Sequence, residues 1–136
     1  MGDRFFKMAV MYFLIGVGLG IYMSSTLDLR WGSLHAHINL LGWVSMALFG
    51  TVYHLFPQAG NHALARWHFW LHHIALPFFI VFLFLLLLTH NVAWEAGIIP
   101  SAIAIIIGAI LLAVNVFMNV SASKDVPAQS SRNLSA

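Results

Sequence analysis

The stretch "LHAHINLLGWVSMALFGTVYHLFP", residues 34–57, contains no Asp, Glu, Lys or Arg, yet it carries histidines at positions 35, 37 and 54. About 20 mainly apolar residues, rising ~1.5 Å each as a helix, cover the ~30 Å hydrocarbon layer of a bilayer. Three more apolar runs of that order lie at 5–23, 67–88 and 98–118. Backbone polar groups cannot go unpaired in lipid, so runs of this kind cross as helices. The connectors "SSTLDLRWGS", "PQAGNHALAR" and "THNVAWEAG" are short and rich in breakers, with Ser33 placed to cap the second helix and Pro57 to stop it. The pattern predicts an all-α integral membrane protein, an up-down four-helix bundle. Residues 1–120 make up the four-span domain, and the polar tail "SASKDVPAQSSRNLSA", 121–136, is expected to be disordered.

Composition supports this class. The chain has 136 residues, 61% hydrophobic and 7% charged, against about 25% charged in an average soluble domain. That balance removes nucleic-acid binding. The absence of cysteine removes disulfides, thiolate metal sites, iron–sulfur clusters and covalent haem attachment. No small-x-small cleavage pattern follows the first run, so a cleaved signal peptide is not expected. Basic residues set the orientation: Arg4, Lys7, Arg66, Lys124 and Arg132 fall on one side and Arg30 on the other. Both termini are then cytoplasmic, in a membrane of the bacterial inner type.

Eight histidines beside six basic and four acidic residues need an explanation. The orientation places 35, 37 and 90 toward the outer face and 54, 68, 72 and 73 toward the inner. Residues two apart on a helix point about 200° from each other. His35 and His37 therefore cannot chelate one ion together, and each serves a different side of the second span. Zinc or copper needs three or four converging ligands. Haem iron needs one or two imidazoles and a flat apolar slot, which Gly42 and Gly50 would open and Trp43 would wall. Hydrogen bonding to a neighbouring helix is the plainer role for a membrane histidine, and ionisable residues at such depth are functional candidates by default. Arg30, beside the pair at the outer surface, suits a haem propionate, although a lone arginine at the interface is more often an anchor. Pro77 frees the carbonyl of His73, and a kink there would open a polar pocket among His54, His72 and His73 for a second, inner haem. Gly16 and Gly20 form a small-x-x-x-small pair suited to close helix packing, and Asn115 and Asn119 suit bonds across an interface.

The string His35, His37, Leu41-Gly42-Trp43-Val44, Gly50, Tyr53-His54-Leu55 and Pro57 resembles the tenth helix of the catalytic subunit of haem–copper oxidases, in its C-type (cbb-type) version. "WHFW" at 67–70 resembles the start of that family's eleventh helix. The resemblance covers about residues 34–75. It implies that His35 and His37 are axial ligands, the first of an oxygen-site haem and the second of a low-spin haem b. The family's copper-site tryptophan–glycine–histidine motif is absent, so copper is not expected. The family subunit has about twelve helices in three arcs. A four-helix chain matches one arc, which implies a homo-oligomeric ring, a trimer ahead of a dimer, with haem b held between His37 of one copy and His35 of the next. The implied activity is electron transfer from a donor the sequence does not identify. The alternatives are a five-coordinate haem that takes nitric oxide or oxygen as an enzyme or sensor, and a haem-free structural or assembly subunit.

Overall fold

The computed structural model describes residues 1–120; the tail expected at 121–136 lies outside the described residues. Four helices long and apolar enough to cross a membrane follow one another. The first is α1 (Gly2–Thr26). The second span, Leu29–Leu55, is composite. A 3-10 turn (Leu29–Trp31) leads into α2 (Gly32–His37), a π-helical segment (Ile38–Val44) and α3 (Ser45–Leu55). Pro57 ends this span as anticipated and starts the short α4 (Pro57–Asn61) from its first-turn position, where a missing N–H costs nothing. The third span is α5 (Ala63–Thr89) and the fourth is α6 (Glu95–Asn119), entered through a 3-10 turn. The all-α four-span architecture is as the sequence predicts.

Glycine positions hold α1 to the second span. In lipid no hydrophobic drive pulls helices together, so small residues that let backbones approach are the main device. A Cβ added at Gly42 would lie 2.5 Å from Tyr12 Cγ, and one at Gly16 would lie 2.5 Å from Asn39 Oδ1. Farther along the same seam, Gly20 faces the His35 ring and Gly50 faces Phe6. The Gly16–Gly20 pair is therefore a packing stripe, and it packs onto the polar side chains that follow the opening of the second span. The α5–α6 pair uses the same device, with Gly97 under the Phe82 ring and Gly108 against His68.

The two helix pairs meet through aromatic side chains. Phe5 packs against Phe49, Tyr53, His68 and Phe69 at ring separations of 5.1–5.7 Å. At the end of the bundle where the second span begins, buried Trp31 stacks on Phe84 at 5.1 Å. Ser33 is not a cap; it lies within α2, and the side chain that caps this entry is Asp28, which accepts from the Arg30 backbone N–H. Most remaining apolar surface, such as Phe117, Leu48 and Ile106, faces outward, as lipid contact requires.

Candidate functional site

His35 and His37 diverge as the helical spacing predicts, and the neighbours of each are now identifiable. His35 is half-buried toward α1, its Cε1 3.0 Å from where a Cβ on Gly20 would stand. Asn39 Nδ2 donates to the His35 carbonyl at 2.9 Å and lies 3.4 and 3.5 Å from the two ring nitrogens. Both separations are long for a hydrogen bond, so neither ring nitrogen is held by a short one.

His37 points toward α5, its ring 5.0 Å from that of Phe79. Its Nδ1 lies 2.7 Å from the Ser33 carbonyl. A carbonyl only accepts, so Nδ1 carries the proton in this contact and the neutral ring presents an Nε2 lone pair. Metal-binding imidazoles are commonly oriented this way, by donating the other N–H to a backbone carbonyl. A π segment begins at the next residue; such segments are rare and often sit at functional sites.

The slot anticipated at Gly42 and Gly50 is filled from within the chain. Tyr12 occupies the space over Gly42 and Phe6 that over Gly50, while Trp43 lies 4.9 Å from Phe13. Glycine is needed there for the approach of α1, and these three positions wall a helix contact. Arg30 is also engaged locally. Its guanidinium bonds Asp28 at 2.8 Å and lies 4.7 Å above the Trp31 ring, and the Trp31 Nε1–H donates to the same carboxylate at 3.1 Å. The Arg30 hydrogen bond holds the Asp28 carboxyl below its ordinary value of 3.8.

The inner histidines do not converge as expected. His54 is exposed, its Nδ1 3.9 Å from an Asp3 carboxylate oxygen. His73 stacks on Phe69 at 5.2 Å. Buried His68 and His72 lie one turn apart on α5 with rings 5.9 Å apart, each bound to the second span. The Tyr53 hydroxyl meets His68 Nδ1 at 2.9 Å, and His72 Nε2 donates to the Leu41 carbonyl, inside the π segment, at 3.0 Å. His68 Nε2 is buried without a partner. Asn115 donates to the Ala59 carbonyl at 3.0 Å and Asn119 to Asn115 Oδ1 at 2.7 Å, so these asparagines bond within the chain. His62 belongs to neither histidine set; its Nδ1 accepts the Leu64 N–H at 3.2 Å as the N-cap of α5. His90, grouped with the outer set, is the exposed left-handed C-cap of that helix. Among the described residues no three His, Cys, Asp or Glu side chains come together as a metal site.

These features define a four-span α-helical membrane protein whose second span directs two imidazoles to opposite neighbours. Known proteins narrow the class. The chain is 29% identical over 73 residues to "Cytochrome c oxidase subunit 1 homolog" of Azorhizobium caulinodans, covering 49% of this chain and 13% of that protein. It is 31% identical over 72 residues to the bacteroid homolog of Bradyrhizobium diazoefficiens and 32% over 72 residues to "Cbb3-type cytochrome c oxidase subunit CcoN1" of Stutzerimonas stutzeri. Each of these alignments covers 48% of this chain. The chain spans only 13% to 15% of these relatives' lengths. No family model and no solved structure matches it. The similarity supports a relationship to haem–copper oxidase subunit I and an oxidase-related membrane protein.

Proposed function

We propose that the chain is a b-type cytochrome of the bacterial inner membrane, in which His37 of one copy and His35 of a neighbouring copy would together hold haem b. A single observation carries the reading: the 2.7 Å contact of His37 Nδ1 with the Ser33 carbonyl, which leaves Nε2 free in a half-buried, aromatic setting. His35 has no short bond to its ring nitrogens and faces the opposite way, which suits the second ligand of a haem shared between copies. The donor set, two neutral imidazoles, fits low-spin iron. When bound, such a haem supplies one-electron transfer. The chain's own residues do the rest. The Ser33 carbonyl fixes the His37 tautomer, Phe79 packs its face, and Gly20 leaves room for the His35 ring beside α1. A trimeric ring is the favoured assembly and a dimer the alternative, with both termini cytoplasmic on the strength of Arg4, Lys7 and Arg66 at one end. Arg30 is retained as a propionate partner only if it releases Asp28.

The test is the absorption spectrum of the purified protein, oxidised and reduced. A reduced α-band that disappears in His37→Ala is expected, with no prompt Soret shift on adding carbon monoxide. Full haem content in His37→Ala removes this ligand. A prompt carbon monoxide shift replaces the electron-transfer reading with a five-coordinate gas-binding one, and protein that stays colourless with haem in excess replaces it with a structural subunit.

A further inference from the structure

Three cavities along one flank share lining residues and change character with depth. Where α1 and α5 begin, a cavity of about 340 Å³ is lined by Arg4, Gly60, Asn61 and Arg66 beside Met1. Arg66 also lines the next, about 250 Å³, together with Trp67 and Trp70. The same two tryptophans open the third, about 370 Å³, which continues between α5 and α6 past Leu71, Ile74 and Pro100. The sequence of surfaces is cationic, then aromatic, then apolar, running from the end of the bundle into the span.

We propose that this track binds an anionic phospholipid. Its phosphate sits between Arg4 and Arg66, its glycerol region rests on Trp67 and Trp70, and one acyl chain lies in the α5–α6 groove. Each segment matches the chemistry of its part of the lipid. Guanidinium groups hold phosphate oxygens by paired, charge-assisted hydrogen bonds. Tryptophan favours the headgroup level, and Trp67 and Trp70 are 65% and 51% exposed there. Basic pockets between helices at the cytoplasmic side are known lipid-headgroup sites. Neither arginine is paired with a carboxylate among the described residues. The nearest acid in sequence, Asp3, has its carboxylate toward His54. The apolar groove argues for a whole lipid, since a free phosphate has no use for it.

The test uses the full chain reconstituted in phosphatidylcholine vesicles that contain a minor fraction of either phosphatidylglycerol or phosphatidylcholine brominated on its acyl chains. Bromine quenches nearby tryptophan, and because the quencher is on the acyl chain, free phosphate gives no signal. Excess quenching by brominated phosphatidylglycerol is expected, and it should vanish in the Trp67→Phe/Trp70→Phe variant. Each of Arg4→Gln and Arg66→Gln should lower the preference about fivefold, the factor that corresponds to one surface cation. Lys7→Gln, at the same end but outside the track, should leave it unchanged. Equal quenching by the two lipids overturns the site. So does a Lys7 effect as large as that of either arginine, which would make the attraction diffuse surface charge. The readout does not depend on haem.

Discussion

Replacing Gly42 with alanine probes the seam between α1 and the second span, against which the His35 ring packs. The added Cβ would lie 2.5 Å from Tyr12 Cγ and 2.7 Å from its Cβ and Cδ1, where carbon pairs are most stable at about 3.5–4.0 Å. Because Tyr12 Cβ is among the atoms struck, turning the ring does not relieve the clash, and α1 itself must retreat by about 1 Å. Overpacking of this kind costs about 1–3 kcal/mol, and the retreat also loosens Asn39 from Gly16 and His35 from Gly20. Gly18 is the control. A Cβ there meets nothing within 4 Å, so Gly18→Ala should stabilise by up to about 1 kcal/mol through helix propensity alone. The assay is reversible denaturant unfolding in micelles, for each variant alone and for Gly42→Ala in a Tyr12→Gly background, which removes the Cβ as well as the ring and where its cost should largely disappear. A Gly42→Ala protein as stable as Gly18→Ala, or an undiminished penalty without the Tyr12 ring, refutes the reasoning.

Other outcomes follow from single contacts. Tyr53→Phe leaves both nitrogens of buried His68 without a partner and should cost about 1–3 kcal/mol, read in the same unfolding assay. Asp28 has a depressed pKa, so its stabilisation is present above the unfolded value and is lost as pH falls through the lower folded value. The turn that enters the second span should therefore hold from neutral pH down to about pH 4 and loosen below it. The fluorescence difference between the parent and Trp31→Phe should follow that loosening, and Asp28→Asn should flatten it. Leu27, at φ 55° and 81% exposed, pays for a left-handed backbone without burying its side chain. Leu27→Gly should raise stability by about 1 kcal/mol, measured as a shift in unfolding midpoint.

The four spans were legible because each is a long apolar run bounded by breakers, a signal that needs no knowledge of tertiary contacts. The opposed directions of His35 and His37 were legible for a similar reason, since helical phase alone sets them. What each imidazole meets was not, because Gly20, Asn39 and Phe79 come into play only once α1 and α5 have docked. Gly42 shows the limit most clearly. A glycine in a span means that something comes close, and sequence does not say whether that is a ligand or Tyr12. The π segment is hidden in the sequence because its residues, Ile38–Val44, read as ordinary helix, and the Leu41 carbonyl that holds His72 is hidden with it. Asp28 and Arg30, two residues apart, were the nearest available ion pair. That local pair, and not a distant propionate, is what the structure gives Arg30.

If His37 reaches toward α5 and His35 toward α1, no one copy can offer both rings to one iron, so a bis-histidine haem must be assembled from two chains. This makes complementation decisive. His35→Ala and His37→Ala should each fail to form the six-coordinate spectrum alone. Expressed together and assembled at random, half the copies carry His37, and half of their neighbours supply the missing His35. About a quarter of the wild-type sites should then return, whether the closed assembly is a dimer or a trimer, because each site joins one copy to the next. Recovery is measured as reduced α-band absorbance per chain over the whole purified population, homo-oligomers included. No recovery in a verified mixed oligomer would mean that the two ligands come from a single chain or that one of them is not a ligand, and the shared-haem arrangement would fail with it.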